Sequence, residues 1–254
     1  MKKYAIFGLM ALACFSLKAA PLELDGMRYA GYTTNAVPAG FSILAVPFSG
    51  FDTNSFTSTN LSLNALISTN GLTTGDRLIV FNETTTNYYY YALTGTGWNP
   101  LAVAEIGTGS TNFVKIITGD NLSTVLKAKG YAFWLKSQNP TTAQLQGIVD
   151  TNLIVIAIAE NAFTLIGNAL PTALELNSDS FTNNTWFTAG PPSVGDEVYV
   201  VSGTNYLRNI YYNGSWQYAQ QTTTNTVLSP ASQIPAGAGV WFRRRGSSQN
   251  LILK

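Results

Sequence analysis

Four blocks of this chain occur twice, in the same order, and that repetition constrains the fold more than any single motif. "GFSILAVPF" (40–48) is echoed by "AFTLIGNAL" (162–170), and "TGDRLIVF" (74–81) by "VGDEVYVV" (194–201). "YYALTGTGW" (90–98) matches "YYNGSW" (211–216) with a shorter turn, and "KGYAFWLK" (129–136) matches "AGAGVWFR" (236–243). Each series closes on a polar turn and one more apolar strand, "AQLQGIV" (143–149) and "SQNLILK" (248–254). Four collinear similarities point to a duplicated unit of supersecondary structure. The first copy spans about 36–149 and the second about 154–254. Between Trp98 and Gly130 the first copy carries extra residues, including "EIGTGSTNFVKIITGDN" (105–121), which a loop can absorb at small entropic cost.

Within each copy the apolar runs are short and bounded by Gly, Asn, Thr or Pro, as strands are. "DRLIVF" and "EVYVV" are apolar on both alternating faces and read as central strands. "TGTG" and "NGS" supply the positive φ values of tight hairpins. Only "LSLNALI" (61–67) is expected to be helical, over two turns. The expected class is all-β: two tandem duplicated modules, each a β-sandwich or partly closed barrel, following a signal peptide. The expected boundaries are 1–19 for the signal peptide, 20–150 for the first module with a short lead-in, and 151–254 for the second.

The signal peptide is expected from "MKKYAIFGLMALACFSLKAA" (1–20). Lys2 and Lys3 form a basic start, an apolar run covers 5–13, and small residues follow. That run is far short of the roughly 20 residues of a membrane-spanning helix. Cleavage after Ala19 leaves 11 basic against 13 acidic residues, a net charge of −2. Nucleic acid, which calls for a clustered positive field, is not an expected partner. Cys14 follows "ALA" and invites a bacterial lipoprotein reading, but Ala11 stands where a lipobox usually has Leu. Without lipidation the mature chain has no cysteine, so disulfides, thiol nucleophiles and thiolate metal sites are not expected.

The tyrosines 88–91 are the most conspicuous local feature. Strand alternation puts Tyr88 and Tyr90 on one face and Tyr89 and Tyr91 on the other. Aligning Tyr90–Tyr91 with Tyr211–Tyr212 makes the face of Tyr89, Tyr91 and Leu93 the apolar one. Tyr88, Tyr90 and Tyr211 are then candidate wet aromatics, either a cross-strand pair shielding the sheet or a stacking surface for sugar rings. Trp98 and Trp216 recur at one place in both copies, as do Trp134 and Trp241, and recurrence reads as packing. Trp186, in "NNTWFTAGPP" (183–192), has no counterpart and is either a loop tryptophan capping the end of a sandwich or a further candidate ligand contact.

Catalytic constellations do not assemble. The chain has no histidine, which excludes Ser-His-Asp and Cys-His arrangements and most zinc sites. "FDTNSF" (51–56) lacks the glycine of an aspartic-protease loop, and "SDSF" (178–181) lacks it too. No carboxylate spacing singles out a glycosidase pair. Asp76 and Asp196, in the recurrent "GD" corners, are expected to bond nearby backbone amides. "NSDSFTNN" (177–184) departs from a calcium-loop pattern. Alternation splits Arg243, Arg244 and Arg245 across two faces. No catalytic residue, metal site or cofactor is expected.

The blocks "VPAGFSILAVPF", "GDRLIVFN", "GTGW" and "KAKGYAFWL" together resemble a module of uncharacterised exported proteins of Verrucomicrobia-like environmental bacteria. Its members read "GxNLIxxPL", "GDxIYxY", a Trp and "PGxGFWV", and the resemblance covers both copies. Ala45 and Gly167 fall at variable positions of that pattern, and "KAKG" replaces the Pro-Gly turn that "IPAGAG" keeps. The resemblance implies export and a β module, and no defined activity. The leading expectation is an exported, non-enzymatic, surface structural or adhesive component, extracellular or cell-surface, with self-association or a surface partner and no transmembrane segment in the mature chain. The alternative is a secreted carbohydrate-binding protein using its exposed aromatics on a polysaccharide, and a carboxylate-based hydrolase trails both.

Overall fold

The computed structural model describes residues 30–48, 66–82, 87–101, 129–148, 153–182, 185–202, 205–221 and 226–253. The expected signal segment with Cys14, the "FDTNSF" run, most of the expected helix and the extra residues after Trp98 lie outside them. The described chain is almost entirely antiparallel sheet, and no sheet closes into a barrel. The sandwich form of the expectation is therefore the one adopted.

The first large sheet has the order β2-β6-β3-β4-β5, built from β2 (Gly40–Ala45), β3 (Arg77–Asn82), β4 (Asn87–Thr94), β5 (Gly97–Pro100) and β6 (Ala132–Ser137). Over it lies a two-stranded ribbon of β1 (Ala30–Val37) and β7 (Thr141–Ile148). The second large sheet runs β9 (Phe163–Gly167), β16 (Gly239–Arg243), β11 (Glu197–Ser202), β12 (Asn205–Tyr212), β13 (Ser215–Gln221) and β14 (Thr226–Pro230). Its ribbon is β8 (Ile154–Ile158) with β17 (Gln249–Leu253). A short pair, β10 (Leu174–Glu175) with β15 (Gln233–Ile234), and one helical turn, α1 (Asp179–Thr182), close its end. Taken in chain order, β2 to β6 and β9, β11, β12, β13 and β16 occupy the same places in the two sheets.

Each ribbon faces its sheet through an apolar core. In the first, Val37, Ala143 and Leu145 meet Leu78, Val80, Tyr89, Tyr91, Phe133 and Leu135. In the second, Ile154, Ile156, Leu251 and Leu253 meet Val198, Val200, Val240 and Phe242. Trp98 and Trp216 sit inside these cores at 2% and 1% exposure. Burying such a ring contributes up to about 3 kcal/mol each.

The two "GD" corners are built alike. Asp76 accepts from the backbone N–H groups of Thr73 and Gln138, both at 2.9 Å. Asp196 accepts from those of Thr188 at 2.8 Å and Arg245 at 2.7 Å. The hairpins also match: Leu93 pairs with Trp98, and Tyr211 with Trp216, across two-residue loops. Asn213 and Gly214 have φ of 51° and 80°, the two positive values that a type I′ turn requires.

That register corrects the alignment expected from sequence. Leu93 donates its N–H to Asp76 O and Tyr211 donates its N–H to Asp196 O, both at 2.9 Å, so Tyr211 is the counterpart of Leu93 rather than of Tyr90. The turns are of equal length. An odd shift moves a strand residue to the opposite face, and Tyr211 accordingly packs against the second core.

The sandwiches join along the ends of β2 and β9. Ala45 N donates to Gly237 O at 2.8 Å, while Gly167 N donates to Gly130 O at 2.6 Å. Isolated bridges link Leu44 with Ala238 and Tyr131 with Ile166. Leu44 and Ile166 are counterparts, as are Tyr131 and Ala238, so the contacts are reciprocal. This is the isologous pattern of a two-fold interface, made here within one chain. Ile43, Ala132 and Leu165 form a small third core at the junction.

Candidate functional site

The junction leaves the outer faces of the two large sheets turned toward one another across a cleft of about 1240 Å³. That exceeds the roughly 300–1,000 Å³ of sites for drug-sized molecules. β3 and β11 show how the sequence makes it. In β3, Leu78 and Val80 point into the core while Ile79 and Phe81 line the cleft. In β11, Val198 and Val200 enter the core while Tyr199 and Val201 line the cleft. Both faces are apolar because both are covered, one by a ribbon and one by the facing sheet.

The walls are aromatic and related by the same reciprocity as the junction. Phe41 meets Trp134 edge-on, centroids 6.0 Å apart at 88°, and Phe163 meets Trp241 at 6.0 Å and 83°. Trp134 and Trp241 approach each other at 6.5 Å. Lys136 Nζ lies 5.1 Å from the Phe41 ring centroid, and the Arg243 guanidinium 4.9 Å from that of Phe163. These are distances at which cation–π attraction operates. Phe41 remains 50% exposed and Phe163 39%, so ring faces stay available.

Tyr88 and Tyr90 are both in the cleft, on the face that strand alternation assigned them. Tyr88 packs against Phe81 with centroids 5.0 Å apart. Tyr206 lines the cleft from the other side. Tyr88 is opposite Phe81 in register and Tyr206 opposite Val201, which makes them counterparts. Burial raises the pKa of Tyr88 above its ordinary value, and Tyr90 and Tyr206 raise it further. Burial likewise raises Tyr199, helped by the Glu197 carboxylate, and raises Tyr206 against a hydrogen bond with Trp241 that lowers it. The three phenols thus keep their protons at neutral pH and can donate as well as accept.

The other candidates lie elsewhere. Tyr211 packs on Phe187 and Trp216, at 5.2 and 5.4 Å. Trp186 packs on Phe187 at 4.7 Å, lies 4.7 Å from the Arg244 guanidinium, and donates its indole N–H to Asn250 O at 3.2 Å. Both are half-buried beside the second core, away from the cleft. Trp134 and Trp241, expected as packing residues, are instead among its walls. Phe41, Phe163, Tyr199 and Tyr206 were not singled out by sequence, although "GF" and "AF" at the starts of the first repeated block carried the signal.

Charge around the cleft is unevenly arranged. On the second sheet Glu197, fully buried, takes Arg208, Arg243 at 3.4 Å and Arg245 at 2.9 Å. Arg244 turns inward onto Asp196. The run 243–245 therefore serves the fold on both faces. On the first sheet the cleft is lined by Arg77 and Lys136. Among the described residues no group of three or more His, Cys, Asp or Glu side chains could hold a metal ion, and no helix is long and apolar enough to cross a membrane. Comparison with family models, with curated proteins and with solved structures finds no match to the chain.

Proposed function

We propose that this chain is an exported, non-enzymatic binding protein that holds a carbohydrate chain in the cleft between its two sandwiches, and that its surface or adhesive role follows from that binding. The observation that carries the reading is the pair of reciprocal aromatic walls, Phe41–Trp134 and Phe163–Trp241, with ring faces open to a cleft larger than a drug-sized site. Sugar rings present C–H faces that stack on aromatic rings, and their hydroxyls need donors and acceptors at the rim. Tyr88, Tyr90, Tyr199 and Tyr206 offer both. Two related walls suit a polymer, which presents the same ring repeatedly.

The reciprocal junction and the shared strand order support the reading of the chain as a duplicated unit. A two-fold relation makes one recognition element into two, so that a weak ring contact acts twice on one ligand. The signal peptide expected from the sequence and the resemblance to an exported β module support a ligand met outside the cell.

The test is binding to a panel of soluble polysaccharides by affinity electrophoresis, with Tyr88→Ala plus Tyr90→Ala as the comparison and thermal unfolding as the control. Retarded migration on at least one glycan, lost in the double variant without loss of folding, is the expected result. A panel on which the native protein migrates freely throughout would sink the proposal.

A further inference from the structure

Resting on the glycan reading, we propose that the bound chain is anionic, with a ring-borne carboxylate or sulfate held between Arg77 and Lys136 on the first sheet. Two equivalent cross-strand pairs differ in charge. In β3 and β6, Arg77 is directly opposite Lys136. In β11 and β16, the same position pairs Glu197 with Arg243. Residues directly opposite in neighbouring strands project from the same face of the sheet, where opposite charges attract and like charges repel.

The second pair is closed. Glu197 is fully buried and draws Arg208, Arg243 and Arg245 onto itself, and none of these three lines the cleft. The first pair is open: among the described residues neither Arg77 nor Lys136 has a carboxylate partner, and both line the cleft. Two cations side by side facing an apolar cleft, with no carboxylate between them, leave a local positive field there. A guanidinium fork beside an ammonium fits the planar oxygens of a carboxylate or the tetrahedral oxygens of a sulfate. Lys136 Nζ is also 5.1 Å from the ring centroid of Phe41, so anion and ring face would be read at adjacent points of one sugar. The break in the two-fold relation gives the ligand a direction: its charged group binds on the first sheet, while the second sheet supplies aromatic rings and tyrosine hydroxyls.

Three oligosaccharides of equal length test this by calorimetry on the full mature chain: an oligogalacturonide, a sulfated galactan fragment and a neutral galactan fragment. The variants are Arg77→Gln with Lys136→Gln, and separately Trp134→Ala. Removing two like charges relieves repulsion, so the first variant is expected to fold at least as stably. At least one anionic oligosaccharide is expected to bind about tenfold or more tightly than the neutral one, an advantage that the charge variant abolishes and added salt weakens. The carboxylated and sulfated arms then tell which group is read. Equal affinity for the neutral oligosaccharide, or an unchanged charge variant beside a defective Trp134→Ala, overturns the anionic inference and leaves the cleft reading standing. Absence of binding by all three, or binding unaffected by Trp134→Ala, overturns both.

Discussion

Ala45 and Gly167 occupy equivalent places at the ends of β2 and β9, and they face each other where the two sandwiches join. A methyl group on Gly167 would lie 2.5 Å from the Ala45 Cβ and 2.6 Å from Tyr131 O. Their backbone N–H groups make the reciprocal bonds of the junction, Ala45 to Gly237 O and Gly167 to Gly130 O. One of the two positions must lack a side chain for the other to keep its methyl group. The cleft lies beside this close approach of the two sheets.

Gly167→Ala is therefore expected to push the junction apart. Overpacking of this kind typically costs about 1–3 kcal/mol. Denaturant unfolding should show that loss, and glycan affinity should fall with it because the aromatic walls no longer hold their spacing. Unchanged stability would mean that the junction is looser than its hydrogen bonds imply.

The buried pair Arg244–Asp196 offers a contrast with its counterpart in the first sandwich. Ser137, in the place of Arg244, reaches Asp76 only at 3.4 Å. Removing one member of a buried ion pair costs about 3–5 kcal/mol, whereas Ser137, whose hydroxyl donates to Asn139 O at 2.7 Å, loses a single hydrogen bond worth about 1 kcal/mol. Arg244→Ala should thus destabilise far more than Ser137→Ala, as read from their melting temperatures. Equal effects would show that the backbone amides alone satisfy Asp196.

Glu197 makes stability depend on acid pH. Burial alone raises its pKa, but hydrogen bonds and charge from Arg208 and Arg245 outweigh that and hold it below the ordinary 4.5. A carboxylate with a depressed folded pKa contributes fully above its unfolded value, and that contribution is lost as pH falls through the folded value. Melting temperature should therefore drop between about pH 5 and pH 3 in the native protein. Glu197→Gln should be less stable at neutral pH and show a smaller acid drop. An identical acid drop in the variant would assign it to other carboxylates.

Much of this architecture was legible in the chain. Alternation put Tyr89 and Tyr91 in the core and Tyr88 and Tyr90 outside it, and the strands apolar on both faces were covered on both. The "GD" corners and the Asn213-Gly214 turn were likewise set by local chemistry. What sequence could not supply was the face-to-face approach of the two sheets. Recurrence of Trp134 and Trp241 in both copies read as internal packing, since each module alone has no partner surface. A two-fold junction uses the same residues from both copies, so recurrence marks an interface as readily as a core. Tyr211 was misplaced for a different reason: identical Tyr-Tyr pairs aligned well, but hydrogen-bond register, not residue identity, decides which face a strand residue occupies. Trp186 looked special for lacking a counterpart, and its role is to cap the second core beside Arg244.

The cleft tyrosines give a spectroscopic signature. With Tyr88, Tyr199 and Tyr206 all raised above the usual value of 10.0, part of the tyrosinate absorbance should develop only at strongly alkaline pH. Tyr88→Phe should remove part of that late component. Loss instead from the early component would place Tyr88 in water rather than in the cleft.

The most direct measurement is a calorimetric titration of the native protein's best-binding oligosaccharide into Trp134→Ala plus Trp241→Ala, with near-ultraviolet circular dichroism recorded alongside. Cleft binding predicts that the heat of binding disappears while the signal from the buried Trp98 and Trp216 persists. Full heat of binding in this variant would contradict the cleft as the carbohydrate site.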